Sequence, residues 1–266
     1  MIDLHSHVLP GLDDGPDDLE ASVMLARAAV AAGTSTLVAT PHIRADYPFD
    51  PARVRPAVEE LNARLVEEGV SLDVVPGGEV SITSLLDLDD AALDAVRLGG
   101  GSYVLVESPY TPTGELLESA LFEAQVRGLR PVLAHPERSP CFLGDLDRLE
   151  RIVDRGVLSS VTAGSMAGRF GKTVCDFTVR LFERGLVHDV ASDAHGVERR
   201  PPVLLVGFER LDAELPGLLD QAGWFTREAP GAILAGAELP PRPGAPARRR
   251  RGLAALRASL RRRGGY

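Results

Sequence analysis

Histidines and carboxylates recur along this chain at the spacings a metal-ion centre requires. His5 and His7 stand one residue apart at the end of a short apolar run. In extended chain, positions i and i+2 share a side, so both imidazoles can reach one ion. Asp193 and His195 repeat the spacing near the other end, and His42, Glu79, Glu107 and His135 each follow an apolar run between them. Five of the six histidines belong to this set, and only His188, at the start of its run, falls outside it. Mixed imidazole and carboxylate donors suit Mn, Fe or Zn and leave Mg open. Arg138, three residues after His135, and Arg199-Arg200, shortly after His195, lie beside the set. A guanidinium fork matches the geometry of a phosphate. The chemistry implied is metal-assisted hydrolysis of a phosphoester.

Each element alone has an ordinary explanation. A single His-x-His is commonly a hydrogen-bonding pair, a lone glutamate caps a helix or pairs with arginine, and an arginine pairs with a nearby acid. Asp13-Asp14-Gly15 has the composition of a turn, with Asp13 closing an Asx-turn onto Gly15. The joint pattern is harder to explain in that way. Unpaired buried charges are costly, and ionisable residues at five or more consecutive strand ends need a common partner.

The elements that would position these residues alternate regularly. Ile2–His5, Thr36–Ala39, Leu72–Val75, Tyr103–Val106, Pro131–Ala134, Leu158–Val161 and Val187–Ala191 read as buried strands. Helical periods lie between them, as in Leu19-Val23-Ala26-Ala29-Val30, with Asp17 or Asp18 as N-cap and Gly33 as stop. Strand–helix alternation implies parallel strands joined by helical crossovers. Seven strands with no Gly-x-Gly-x-x-Gly after the first favour a barrel related to the (β/α)8 type over a dinucleotide fold. In such barrels the C-terminal strand ends converge on one mouth, where the ionisable residues fall.

Composition sets the frame. The chain has 266 residues, 44% of them hydrophobic, enough for one sizeable core. Without a bilayer-length apolar run or a basic-then-apolar leader, a cytoplasmic location is expected. Two cysteines, Cys141 and Cys175, make a disulfide framework improbable. Net charge is −9, yet residues 241–266 hold nine arginines and no acid, leaving 20 basic against 38 acidic residues before them. An acidic body argues against a nucleic-acid partner. Lys172 is the only lysine, in keeping with a compositional bias towards arginine.

The ordered motifs extend the argument. His5-Ser6-His7, Asp13-Asp14-Gly15, Thr40-Pro41-His42, Gly78-Glu79, Glu107-Ser108, His135-Pro136-Glu137-Arg138, Thr162-Ala163-Gly164-Ser165, Ser192-Asp193-Ala194-His195 and Arg200-Pro201-Pro202 follow one another over roughly residues 1–236. This set resembles the bacterial protein-tyrosine phosphatases of the polymerase and histidinol phosphatase (PHP) superfamily, the CpsB/YwqE type of capsule and exopolysaccharide synthesis. The resemblance implies a distorted (β/α)7 TIM-like barrel over residues 1–239 carrying three divalent ions, typically Mn2+. It implies one ion on His5, His7, Glu79 and Asp193; a second on Glu79, Glu107 and His135; and a third on Asp14, His42 and His195. Arg138 and Arg200 match phosphate-gripping positions. Ser139 departs from the family, in which an aromatic residue commonly follows that first arginine.

The activity so implied is hydrolysis of phosphotyrosine on a protein, such as a membrane-bound bacterial tyrosine kinase, by attack of a metal-bound hydroxide. His42 or a metal-bound water would protonate the leaving phenolate. A cysteine mechanism needs Cys-x5-Arg, whereas six residues separate Cys141 from Arg148 and four separate Cys175 from Arg180. Two alternatives stay open: the same chemistry on a small phosphomonoester such as histidinol phosphate, and a kinase-binding regulator without turnover. Residues 240–266 read as a Pro/Arg-rich tail, expected to be disordered. Leu253, Leu256 and Leu260, at helical spacing between Arg248–Arg251 and Arg261–Arg263, also suit weak contact with an anionic membrane, at about 1 kcal/mol per arginine.

Overall fold

The computed structural model describes residues 1–248. Its strands are β1 Ile2–Ser6, β2 Thr36–Ala39, β3 His42–Ile43, β4 Asp73–Pro76, β5 Glu79–Val80, β6 Tyr103–Glu107, β7 Arg130–Ala134, β8 Leu158–Thr162 and β9 Asp189–Ala191. They form two parallel sheets, ordered β1-β2-β4 and β3-β5-β6-β7-β8-β9. β2 continues into β3 after two residues, and β4 into β5 likewise, so two staves are common to both sheets. The remaining seam is joined at the rim, where Asp193 N donates to His5 O at 2.9 Å and His7 N to Ala194 O at 2.8 Å. The result is seven parallel staves in ring order, the number expected, with two of them broken in the middle.

The breaks have local causes. Pro41 has no N–H for a ladder and holds Thr40 extended, so the stave leaves β4 at Ala39 and resumes against β5 at His42. On the neighbouring stave the matching break falls at Gly77-Gly78. A Cβ on Gly77 would lie 2.9 Å from Val38 Cγ1, and one on Gly78 would lie 2.8 Å from Val96 Cβ. Two glycines are therefore the residues that let these staves approach.

The outward faces are apolar and covered by helices. Leu37, Ala39 and Val74 pack with Val23 and Ala26 of the helix Leu19–Ala31 and with Val58 and Leu61 of the helix Val54–Glu67. Asp18 caps the first of these, accepting from Ala21 N at 2.9 Å, and Gly33 takes φ +89 just after its end. Inside, Leu4, Val38, Leu105 and Val132 meet Ile233 of the helix Ala229–Leu234, which closes the end where the strands begin. His188 lies on that side, its Nδ1 accepting from Ser159 N at 3.1 Å.

Strand β1 carries an irregularity that matters for function. Asp3 pairs with Leu37 and Ser6 with Ala39, so Leu4 and His5 together oppose the single residue Val38. This is the pattern of a β-bulge. It lets Leu4 join the interior apolar cluster while the next residue, His5, still belongs to the rim. Asp3 Oδ1 serves the displaced backbone, accepting from His5 N at 3.3 Å and from Ser192 N at 3.0 Å across the seam.

Residues 240–248 carry no helix or strand. The chain nevertheless stays on the body there: Leu239 packs on the core, Arg242 donates to Gly185 O and lies 5.9 Å over the Trp224 ring, and Arg248 pairs with Glu214 at 3.0 Å. Of the disorder expected over residues 240–266, the part beyond residue 248 lies outside the described residues, as do the short amphipathic helix and the membrane contact. Among the described residues no helix is long and apolar enough to cross a membrane.

The close approach at the second break gives a stability test. Gly78→Ala should destabilise the fold by about 1–3 kcal/mol, because the added methyl meets Val96 and Ile43 inside a packed layer. Urea unfolding measures this; a midpoint equal to wild type would mean the layer yields without cost.

Candidate metal centre

The strand ends bring the expected residues to one mouth. His5 leaves β1 with His7 just beyond it, His42 opens β3, Glu79 opens β5, Glu107 ends β6, His135 follows β7, and Asp193 and His195 follow β9. Their donor atoms form four overlapping groups: His7, Asp14, His42 and His195; His5, His7 and Asp193; His5, Glu79 and His135; and His42, Glu79 and Glu107. Asp14, His42 and His195 thus meet as the resemblance implied, with His7 added. His5 and His7 share a group with Asp193, and Glu79 belongs to two others. All nine expected ligands take part, and Arg138 and Arg200 stand beside them.

The donor atoms fit cations. His5 Nε2 and His7 Nε2 lie 3.2 Å apart, both buried. Glu79 Oε2 is 3.0 Å from His42 Nδ1, 3.3 Å from His5 Nε2 and 3.5 Å from His7 Nε2, yet it makes no well-formed hydrogen bond among the described residues. Lone pairs aimed at a common point, rather than at one another's protons, are what ligands around an ion present.

Two positions are held in unusual backbone conformations. His135 has φ +38 and Asp193 φ +54, in the left-handed region that side chains rarely adopt. The surrounding ladder fixes both: His135 N donates to Ser160 O at 2.8 Å, and Asp193 N to His5 O at 2.9 Å. Such strain is concentrated where a side chain must be aimed.

Charges at the mouth are strongly coupled. Burial opposes ionisation of Glu79 and Asp193, yet the adjoining His5, with His135 beside the first and Arg138 beside the second, keeps both carboxyls well below their ordinary values. Burial opposes the His7 imidazolium too, but the Asp13, Asp193 and Glu79 carboxylates raise its pKa well above the usual imidazole value. Glu107 is the exception among the acids: burial, then the Glu79 charge, push it up to about 7. His135 is driven down to about 4 by burial and by Arg138. A hydrogen bond from His195 holds Asp14 below the usual carboxylate range. Bound cations would replace the protons that His7 now shares with its acids.

Several residues have roles beyond those read from the sequence. Asp13 does form the expected turn, its Oδ1 accepting from Gly15 N at 3.0 Å. Its Oδ2 also takes His7 Nδ1 at 2.6 Å and His42 N at 2.9 Å, fixing which nitrogen of His7 faces the centre. Gly15 is needed there because a Cβ would come within 2.2 Å of His7 O. Arg44 donates to both oxygens of Glu107, at 3.0 and 3.2 Å. It follows His42 by two residues, the same-side spacing of His5 and His7, a signal the sequence contained. Tyr47 stacks on His42 with ring centroids 5.3 Å apart, and Phe170 lies under the Arg138 guanidinium at 4.7 Å. Ser139, at the position where the family commonly has an aromatic, is buried and donates to Pro109 O.

The mouth opens into a cavity of about 180 Å³ lined by metal-ligand candidates together with Arg138, Arg200, Tyr47 and Tyr110. Arg138 Nη2 reaches Asp193 Oδ2 at 2.7 Å, and Arg200 Nη2 donates to the same oxygen. Arg138 Nε is buried with no hydrogen-bond partner among the described residues.

Fold and site together define a parallel α/β barrel with a cluster of candidate metal ligands at its C-terminal mouth. The chain belongs to the CpsB/CapC family of capsular polysaccharide synthesis, whose model matches residues 1–215. It is 39% identical over 226 residues to tyrosine-protein phosphatase YwqE of Bacillus subtilis (strain 168), covering 83% of this chain and 89% of that protein. Tyrosine-protein phosphatase CpsB of Streptococcus pneumoniae is 28% identical over 220 residues, 79% of this chain and 88% of the relative. Among solved structures, the crystal structures of YwqE from Bacillus subtilis and CpsB from Streptococcus pneumoniae, described as unique metal-dependent tyrosine phosphatases, include a chain that matches with TM-score 0.82. That match has 36% identity and covers 94% of this chain and all of the other.

Asp13 provides the test of the centre. Asp13→Asn keeps an acceptor for Gly15 N but removes the carboxylate that orients His7, so Mn2+ affinity should fall about 10- to 100-fold. Calorimetric titration of the metal-free protein reads this directly; unchanged affinity would reduce Asp13 to a turn former.

Proposed function

We propose that this chain is a metal-dependent protein-tyrosine phosphatase of capsule or exopolysaccharide synthesis, with residues 1–239 as its catalytic unit. Its substrate is phosphotyrosine on a protein such as a bacterial tyrosine kinase. One observation carries the reading: a single cavity of about 180 Å³ is lined at once by candidate cation ligands, three arginines (Arg44, Arg138 and Arg200) and two tyrosine rings. Ligands and guanidinium groups suit the phosphoryl end of a substrate, and the rings suit a flat apolar leaving group. Metal-dependent tyrosine phosphatases among its relatives agree with this.

The residues divide the work. His5, His7, Asp14, His42, Glu79, Glu107, His135, Asp193 and His195 would hold divalent ions, Mn2+ being the ion proposed. Bound there, such ions supply Lewis-acid charge and lower the pKa of water. Arg138 and Arg200 bind the phosphoryl oxygens; each anchors one Nη on Asp193, and Arg200 Nη1 also lies 2.9 Å from His195 Nε2. Tyr47 and Tyr110 flank the phenyl ring. The departing phenolate would take its proton from His42, in the cavity wall, or from a water at the centre.

Cysteine has no part in this scheme. Both thiols are buried, and burial raises their pKa values, the opposite of what a nucleophilic thiolate needs. A chelator should therefore abolish phosphatase activity and Mn2+ restore it, while Cys141→Ser with Cys175→Ser stays active. A folded but inactive double variant would overturn the cysteine-free scheme. A phosphotyrosyl peptide should also exceed histidinol phosphate in kcat/KM; the reverse order would favour the small-molecule alternative.

The arginines separate phosphate binding from metal binding. Arg138→Ala or Arg200→Ala should lower kcat/KM by a factor on the order of a hundred with metal content retained. Loss of metal in either variant, read by elemental analysis, would make that arginine a support of Asp193 instead.

A further inference from the structure

Beside the phosphate cavity lies a larger groove of about 600 Å³, and the two share Arg44, Asp46, Glu107 and Tyr110 in their walls. The groove is larger than a phenyl phosphate alone would fill and falls in the range of roughly 300–1,000 Å³ of clefts that bury whole ligands. Its far wall is the segment 108–116, and this segment is built rather than loose. Arg148 donates to Thr113 O at 2.6 Å and Gly114 O at 3.0 Å, while also pairing with Glu118 at 2.6 Å. Gly114 and Leu116 both take positive φ, +54 and +64.

Leu116 is the informative residue. A leucine at positive φ costs roughly 1–2 kcal/mol, and burial would ordinarily be the compensation. Here the side chain is instead 55% exposed, on the groove rim. An apolar side chain held in a strained backbone and turned towards a groove has its contact supplied by something that enters the groove. Charge narrows what that is. The ionisable side chains lining it are Arg44 against Asp46, Glu107 and Glu115, one cation against three carboxylates. Arg44 is already committed to Glu107 and Asp46, whereas Glu115 is exposed and stands beside Leu116.

We propose that this groove binds the polypeptide flanking the phosphotyrosine, taking an apolar side chain against Leu116 and favouring basic over acidic neighbours through Glu115. The inference rests on the phosphotyrosine reading above. Tyr110, common to both cavities, marks where the substrate tyrosine passes from the groove to the phosphate cavity. Enzyme and substrate then meet over a surface, so a peptide is selected by its sequence, while a small aryl phosphate meets only the inner cavity.

The test compares phenyl phosphate with two phosphotyrosyl peptides, one with lysines and one with glutamates around an apolar residue, on the full-length Mn2+-loaded protein. Leu116→Gly relieves the positive φ and removes the side chain; it should lower kcat/KM for both peptides about tenfold and leave phenyl phosphate within about twofold. Glu115→Lys should shift the ratio between peptides roughly fivefold towards the acidic one. If wild type turns over none of the three, the phosphatase reading itself fails. If all are hydrolysed but both variants keep the wild-type ratios of peptide to phenyl phosphate and of peptide to peptide, the groove is not the peptide subsite.

Discussion

Glu79 is fully buried, and four imidazoles, those of His5, His7, His42 and His135, stand within 3.5 Å of its two oxygens. A carboxylate removed from water is tolerated only where positive charge surrounds it. The rim of the barrel is organised by that requirement. His5, His42 and His135 come from three different staves, and each has to end at the same level for the carboxylate to be compensated. The parallel ring supplies common levels because neighbouring strands run in register, with His42 beside Glu79 and Glu107 beside Ala134. Local departures then tune the remainder. The bulge in β1 and the positive φ at His135 and Asp193 aim donors that regular strands would direct elsewhere.

The arginines complete the electrostatic design. Asp193 faces His5 and His7 through one oxygen and accepts from Arg138 and Arg200 through the other. It therefore couples the candidate cation ligands to the arginines proposed to grip a phosphate. Phe170 extends this support, since its ring stacks on the Arg138 guanidinium and fixes its plane. An aromatic partner for this arginine thus comes from a distant loop, while the adjacent Ser139 is spent on tying Pro109.

Much of this was legible in the sequence, for physical reasons. Buried parallel strands are continuous apolar runs, so their ends could be located, and ionisable residues there stood out against them. The family motifs ordered the same residues. Less legible were features that depend on three-dimensional approach. β3 and β5 are two residues long, too short for any periodicity to register, and exist because a proline and two glycines break longer staves. Asp13 carried a sufficient local explanation as a turn residue, which hid its bonds to His7 and His42. Tyr47, Tyr110 and Phe170 lie outside the strand-end pattern altogether, and only the folded chain brings them to the cavity and its arginine.

The seam between β1 and the segment after β9 has a consequence for how the molecule assembles. Candidate ligands at positions 5 and 7 meet those at 193 and 195 only once the first and last strands have joined. Chain closure over such a separation is slow relative to local helix formation. A partly folded chain thus offers only fragments of the centre, and cations would favour the closed ring by mass action. During synthesis the N-terminal histidines emerge long before their partners, so the full set of candidate ligands assembles late. Acquisition of the ion would then mark the end of folding, and a chain truncated before residue 193 would remain without the complete centre.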